Sequence, residues 1–578
     1  MRVEVTRLSA TQHRPPMNNR SPLHWVVISC LVIAACTSLK DPNQLIGGVE
    51  KGGQTSTGGA AGQSTAGASA GTSDLGESGA AGSGRGGNSG NAGSVSIAGE
   101  GGAPDTDCVD DKGFKGLGCY RCEPKDISTL ENACTSAACT PFDSKRLTLL
   151  GADGKLPPLP PPPGAGGAGG AGGAPSAGGA AGTGKACSDV AKNGGTVVYV
   201  TGSSAAQPFL KEIAKQLAPL NIFIVYESSG SCIGVDAIVN GTLMTTGPTA
   251  PALSATYWDS LTSAGTACDL PAEGVSADIG ASDVFAQTCP GFESANLDAR
   301  QVRDAHGPVQ IMTFAVPATS KYDEISAEAA YFVFGFGAAG GVRDASGANP
   351  VWNNEDYIFK RSATSGTQAM LAAAIGVPAG VWKGKGHKSS GEVTSDLQLA
   401  GQKQDTSNLA IGIVASDWIK SNSLEGSVKV LAFQDTGQHC AVYPGSTSGS
   451  GNKQNVRDGH YPLWSPLHLL VRVDSLGNPI NPANRQAVTD ILGYLSGTKA
   501  LPSGTPLIGL YAASGLVPEC AMHVTRTKDG GNILPYNPSN PCSCLFDKLV
   551  STTTCSECTV QGNCNAGETC SQGFCEPQ

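Results

Sequence analysis

The sequence predicts an α/β fold. Four apolar segments each run into a turn of small hydroxyl residues and glycine, an apolar helix face follows the first turn, and biased composition is confined to the flanks. Val197-Val198-Tyr199-Val200 reads as a strand, followed by the turn Thr201-Gly202-Ser203-Ser204-Ala205-Ala206-Gln207-Pro208. Pro208 suits the first turn of a helix, and Phe209, Leu210, Ile213 and Leu217 share one face of it. Residues 222–226 form a second strand, leading to Ser228-Ser229-Gly230-Ser231-Cys232-Ile233-Gly234 and a helix over 234–239. Asp278-Ile279-Gly280-Ala281-Ser282-Asp283 is shorter. Residues 357–360 lead through Arg361-Ser362-Ala363-Thr364-Ser365-Gly366-Thr367 into a helix over 368–375.

The first N–H groups of a helix lack intrahelical partners and carry partial positive charge, so small residues at that point let a tetrahedral anion reach the backbone. Serine and threonine add hydroxyl donors. Together the four turns read as a cradle for an oxyanion.

In this order the four turns resemble those of the phosphate-binding proteins of bacterial ABC importers, two-lobed periplasmic binding proteins of the second topological type. Residues 278–283 carry the closest likeness. Softer similarities fill the gaps: Ile325-Ser326-Ala327-Glu328-Ala329 before Phe332-Val333-Phe334-Gly335, Trp352-Asn353-Asn354, Ala410-Ile411-Gly412-Ile413, and Tyr461-Pro462 before Leu469-Leu470-Val471. The resemblance covers about 195–500 and implies a type 2 periplasmic-binding-protein fold within a domain at 187–520. Lobe one is expected at about 195–305 plus 440–515, and lobe two at about 310–435.

The resemblance also implies a site and its roles. Arg361, Ser365, Gly366 and Thr367 would grip phosphate or a phosphate-like anion from one lobe, and Ser204, Ala206, Gln207, Ser231 and Asp283 from the other. Asp283 is the most diagnostic, because a carboxylate repels an anion unless the anion offers it a proton. Phosphate does so near neutral pH and sulfate does not. No cofactor is implied, and an ABC importer permease is the implied protein partner. The chain departs from the family at three points. Ala206 stands where a threonine is usual, Ala363 stands where an aspartate would orient Arg361, and about 35 residues containing Tyr257, Trp258 and Cys268 separate Thr242 from Asp278. This insertion would cover the cleft, enlarge it for an organic phosphate, or pack on its lobe.

The flanks cannot bury a core. The chain has 578 residues and 78 glycines; 36–105 is a Gly/Ala/Ser tether, and 151–186 is a linker with a proline run and Gly-Gly-Ala repeats. Too few large apolar side chains occur there to offset backbone ordering. Their nominal motifs, such as Gly82, Gly84 and Gly87, neither follow a strand nor open a helix. Net charge is −10 with no dense basic stripe, which argues against a nucleic-acid partner.

The start of the chain reads as an address. Residues 25–35 are apolar and too short to span a bilayer as a mature helix. Ile33-Ala34-Ala35-Cys36 resembles a bacterial lipobox, which implies a signal peptide at 1–35, lipidation of Cys36 and an extracytoplasmic, membrane-anchored protein on the periplasmic or outer surface. Of 20 cysteines, 18 remain beyond Cys36, an even number suited to an oxidising compartment. They form an odd group at 106–150, an even group around the core and an odd group in the C-terminal module at 521–578, so at least one bridge crosses between groups. Cys119-x-x-Cys122 and Cys555-x-x-Cys558 could be zinc half-sites, but neither group contains a histidine, and structural disulfides are the better reading. Cys232, next to Ser231, is expected to bridge to Cys268 or Cys289 and fasten the insertion.

Catalysis is not indicated. The eight histidines show no metal-binding spacing, and no serine sits in a nucleophile elbow within the folded region. His460 and His468 read as structural. The rival to a solute-binding protein is a cell-surface interaction scaffold that presents the lobed core on its tether.

Overall fold

The computed structural model describes residues 119, 120, 122, 124, 126–161, 185–191, 194–245, 255–259, 264–551 and 553–577. The signal segment with Cys36, the tether and positions 162–184 of the second linker lie outside them.

Thr196–Gly202 (β1) is extended because β-branched and aromatic residues fit a pleated, half-buried surface; Val198 and Val200 point into the core. It pairs in parallel with Ile222–Ser228 (β2) on one side and Ile279–Ser282 (β3) on the other. Gln207–Leu217 (α1) connects β1 to β2 and buries Phe209, Leu210, Ile213 and Leu217, the face that the spacing predicts. Ser231–Val239 (α2) follows β2.

One 16-residue strand, Val302–Pro317 (β4), serves both lobes. In the second lobe Ile358–Arg361 (β5) pairs in parallel with Ile411–Ala415 (β6), which runs antiparallel to residues 312–315 of β4. In the first lobe Trp464–Arg472 (β7) runs antiparallel to β4 from Ile311 back to Val302 and also to β3. The chain therefore passes between lobes inside β4, where Ile311 pairs with Trp464 and Met312 with Ala415. Gly366–Ile375 (α3) follows β5, and Ser390–Ala400 (α4) lies further along the second lobe.

The return to the first lobe comes later than the expected position near 440. Ala441–Val442 pairs with Ala432–Gln434 and Cys139–Thr140 in a separate four-stranded sheet with Glu324–Ser326, so the return falls at about Trp464.

The cysteine-rich segments are not separate beads on the tether. Phe142 and Leu147 enter the main core, Arg146 pairs with Glu324, and Cys139 bridges to Cys440. Even the start of the second linker docks, since the Tyr331 hydroxyl donates to the Pro157 carbonyl at 2.6 Å. At the other end Cys520 bridges to Cys542, and the Asp529 carboxylate accepts from Phe285 N at 2.8 Å. Segments too short to form their own core thus bury their apolar side chains in the lobes. Residues 555–577 keep the expected character, a hairpin stapled by Cys558–Cys570 and Cys564–Cys575. Two bridges, Cys139–Cys440 and Cys520–Cys542, cross the cysteine groups. Among the described residues no helix is long and apolar enough to cross a membrane.

Candidate functional site: the interlobe cleft

The carboxyl ends of β1, β2, β3 and β5 meet between the lobes, the usual place for ligands in open α/β sheets. The turn after β1 is possible because Gly202 has φ 137°, and a Cβ there would lie 1.9 Å from the Ala281 carbonyl oxygen. Ser203 then folds its hydroxyl under the helix start, accepting from Ala205 N at 3.0 Å and Ala206 N at 3.2 Å. The Ala206 N–H is thus engaged inside its own turn. Gln207 opens α1, half-buried. Ser204 faces the other lobe, and its hydroxyl accepts from Arg361 Nη2 at 3.1 Å.

Ser231 and Asp283 form the first lobe's wall. The Ser231 hydroxyl donates to Asp283 Oδ2 and accepts from Asp283 N, both at 3.2 Å. No side chain caps α3, so its first-turn amides remain available to a ligand, whereas in α2 the Cys232 and Ile233 amides are already engaged by carbonyls. The lobes touch here. Cys232 N donates to the Thr364 carbonyl at 3.0 Å, and a Cβ on Gly366 would lie 2.3 Å from Ser231 Oγ. Only glycine permits that approach.

Arg361, at the end of β5, is 2% exposed. Its Nη1 donates to Ser390 Oγ at 3.0 Å and its Nη2 to the Lys388 carbonyl at 2.9 Å. These groups orient the guanidinium in place of the aspartate that Ala363 lacks. Among the described residues Arg361 has no carboxylate within ion-pair distance, and its Nε has no partner. Ser365 occupies the cap position of α3 without capping it and is buried; Thr367 is buried with an unpartnered Oγ1. Asp283 Oδ1 is likewise buried and unpartnered.

The electrostatics follow from burial. Desolvation pushes the Asp283 carboxyl up to about 6, against the pull of the Ser203 and Ser231 hydroxyls, the Arg361 guanidinium and His468. Desolvation also lowers Arg361 to about 10, although Asp283 and Glu392 favour its charge. Asp417 is raised to about 8 by burial and then by Asp283, while Lys453 pulls the other way.

Ser203, Ser390 and the Lys388 carbonyl were not among the expected site residues. The Ser389-Ser390-Gly391-Glu392 run marks a helix start, with the Ser389 hydroxyl accepting from Glu392 N. Its approach to Arg361 arises from pairing of Lys385–His387 beside β5, which places His387 opposite Arg361.

Cys232 bridges to Cys289, one of its two expected partners. The bond ties the second turn to the segment after Asp283; the insertion is fastened instead by Cys187–Cys268. The described part of the insertion packs on its lobe, with Ala255–Tyr257 extending the sheet beside β2 and Trp258 lying 6.3 Å from the Tyr226 ring. Cys119 pairs with Cys134, Cys555 with Cys544 and Cys558 with Cys570, and Cys122 is also disulfide-bonded, so these thiols are committed to bridges rather than to zinc. His460 is structural, its Nε2 lying 3.0 Å from the Ala133 carbonyl.

No family model and no curated protein matches the chain. Among solved structures it is similar to a phosphate ABC transporter substrate-binding protein from Clostridium perfringens with bound phosphate, at 11% identity over 56% of this chain and 99% of that one, with a TM-score of 0.36. It is similar to an ABC-type phosphate transport receptor from Vibrio cholerae at 13% identity, over 55% of this chain and 99% of that one, with a TM-score of 0.33. The reduced regulatory domain of OxyR from Pseudomonas aeruginosa matches at 10% identity, over 52% and 96%, with a TM-score of 0.26. The residues of the cleft, rather than these distant likenesses, carry the functional reading.

Proposed function

We propose that the chain is an extracytoplasmic solute-binding protein that holds phosphate or a closely related, proton-bearing oxyanion between its lobes. One observation carries this reading: Asp283 Oδ1, Arg361 Nε and Thr367 Oγ1 are all buried without partners in the elements that line one cleft. Leaving a buried polar group unsatisfied costs about 1–3 kcal/mol, more when it is charged. A ligand that accepts from Arg361 and Thr367 while donating to Asp283 satisfies all three. Ser231, Ser365 and the first amides of α3 supply further donors, and Ser204 holds Arg361 across the cleft.

Each hydrogen bond to an ionised group contributes roughly 1.5–3 kcal/mol, so a handful can retain a dehydrated anion. No covalent chemistry is involved. Asp283 reads the proton: an ionised Asp283 accepts from a protonated oxyanion and repels one that has none. In this proposal Cys36 carries the lipid anchor, the tether spaces the core from the membrane, and an ABC permease or a sensor receives the signal of closure.

Titration calorimetry of the full chain with phosphate tests the reading. Saturable binding of one anion per chain is expected. A surface scaffold with no ligand would give only heats of dilution.

A further inference from the structure

We propose that Asp304, His306 and His468 form a binding site for one divalent transition-metal ion, best matched by zinc, on the β4–β7 ribbon of the first lobe.

The register assembles the cluster. Residues two apart in a strand share a face, so Asp304 and His306 stand together on β4, and His468 of β7 is paired directly with His306. Asp304 and His468 are 164 positions apart in sequence, which hides the cluster from any reading of spacing. His468 Nδ1 lies 2.8 Å from Asp304 Oδ2, His306 Nε2 lies 3.9 Å from the same oxygen, and the two imidazole rings are 4.9 Å apart. One ligand atom from each residue falls within 4.8 Å of the other two. Tetrahedral zinc with bonds of about 2.0–2.1 Å brings its ligands to roughly 3.3 Å, a convergence within reach of small side-chain rotations here.

A second observation points to a missing ligand. Asp304 Oδ1 is buried and unpartnered, and the fully buried His468 ring turns its Nδ1 to Asp304 while its Nε2, on the other edge of the ring, has no partner. The site has a roof and an entrance. The Phe285 ring covers His468 at 4.3 Å, while His306 is partly open to solvent and Asp304 borders an open groove shared with Asp298 and Asp474.

The donor set selects the metal. Two imidazoles and one carboxylate suit zinc and related first-row ions, whereas magnesium and calcium prefer all-oxygen shells. Three protein ligands leave a fourth position for water or an incoming group. Because His468 is paired with Ser282, immediately before Asp283, a bound ion would also brace the strand that carries the cleft carboxylate.

The test uses the untagged full chain, stripped with a chelator and titrated with zinc chloride in phosphate-free buffer. One ion per chain is expected, with a rise in melting temperature on saturation. Asp304→Asn and His306→Ala should each weaken binding at least tenfold and abolish that rise, while melting like the metal-free wild type. Cobalt substitution should give the visible absorption of a four-coordinate nitrogen- and oxygen-ligated ion. Absence of saturable zinc binding by the wild type overturns the proposal, and so does affinity unchanged in both variants. Phosphate titration of the zinc-free protein is independent of this outcome, so failure here leaves the cleft reading to stand or fall separately.

Discussion

Arg361 and Arg457 are both buried arginines, and their partners differ in kind. Arg457 donates from Nε to the Ala521 carbonyl at 2.9 Å, pairs with Asp547 at 2.6 Å and rests over the Phe546 ring at 5.4 Å. Its charge is answered within the fold. Arg361 is held only by two hydroxyls and a carbonyl, and its Nε is left over. A buried cation without a counter-ion is costly in isolation, so the difference marks Arg361 as a group whose partner comes from outside.

The sharpest way to break this comparison is to remove each charge in turn. Arg361→Met should weaken phosphate binding about 100-fold or more, the loss of at least two charge-assisted bonds at roughly 1.5–3 kcal/mol each. In ligand-free protein the same variant should melt no lower than the wild type. Arg457→Met should do the reverse, costing about 1–3 kcal/mol of stability through its lost bonds to the Ala521 carbonyl and the part-exposed Asp547, while the folded fraction binds phosphate normally. Calorimetry and denaturant melts on the two variants would check both halves, and matching phenotypes would dissolve the distinction.

The Cys232–Cys289 bridge separates loop fixation from ligand contact. Nonreducing peptide mapping should recover these two cysteines linked, and recovery of Cys232 as an alkylatable thiol would contradict the structure. Replacing both by serine should lower stability by about 2–4 kcal/mol through the freed loop.

Asp283 gives a pH signature that a paired carboxylate would not. Its folded value is about 6, above its ordinary 3.8, so the native state holds a proton that the unfolded chain releases in that window. Without an anion its contribution is therefore fully present below about pH 4 and lost as pH rises to about 6, a change of about 3 kcal/mol at 1.36 kcal/mol per unit. Asp283→Asn should flatten this part of the profile in denaturant melts. It should also narrow the preference for phosphate over sulfate.

Gly366→Ala is the mildest perturbation. Its methyl group would meet Ser231 Oγ and hold the lobes apart, and overpacking of about 1–3 kcal/mol predicts roughly tenfold weaker binding. Small-angle scattering with saturating phosphate should find this variant more open than the wild type.

Much of the architecture was legible because it depends on local chemistry. The apolar face of α1 follows from spacing alone, and the turns at Gly202, Ser231 and Gly366 announce themselves by small residues that close approach requires. What escaped notice depends on long-range pairing. Cys139 meets Cys440 across 301 positions, which is why a segment that reads as a separate module is part of the four-stranded sheet with Ala432–Gln434 and Glu324–Ser326. Ser390 reaches Arg361 only because an adjacent strand forms, and the insertion's packing follows from the Cys187–Cys268 bridge rather than from its own composition. The Ala206 N–H donates to the Ser203 hydroxyl within the same turn, a contact that the motif alone does not announce.

The central claim is that the cleft selects an oxyanion by its proton, and equilibrium dialysis with radiolabelled phosphate tests it most directly. At neutral pH the full chain should retain one labelled phosphate, displaced by unlabelled phosphate but not by a large excess of sulfate. Failure to retain label, or displacement by sulfate as effectively as by phosphate, would contradict the account.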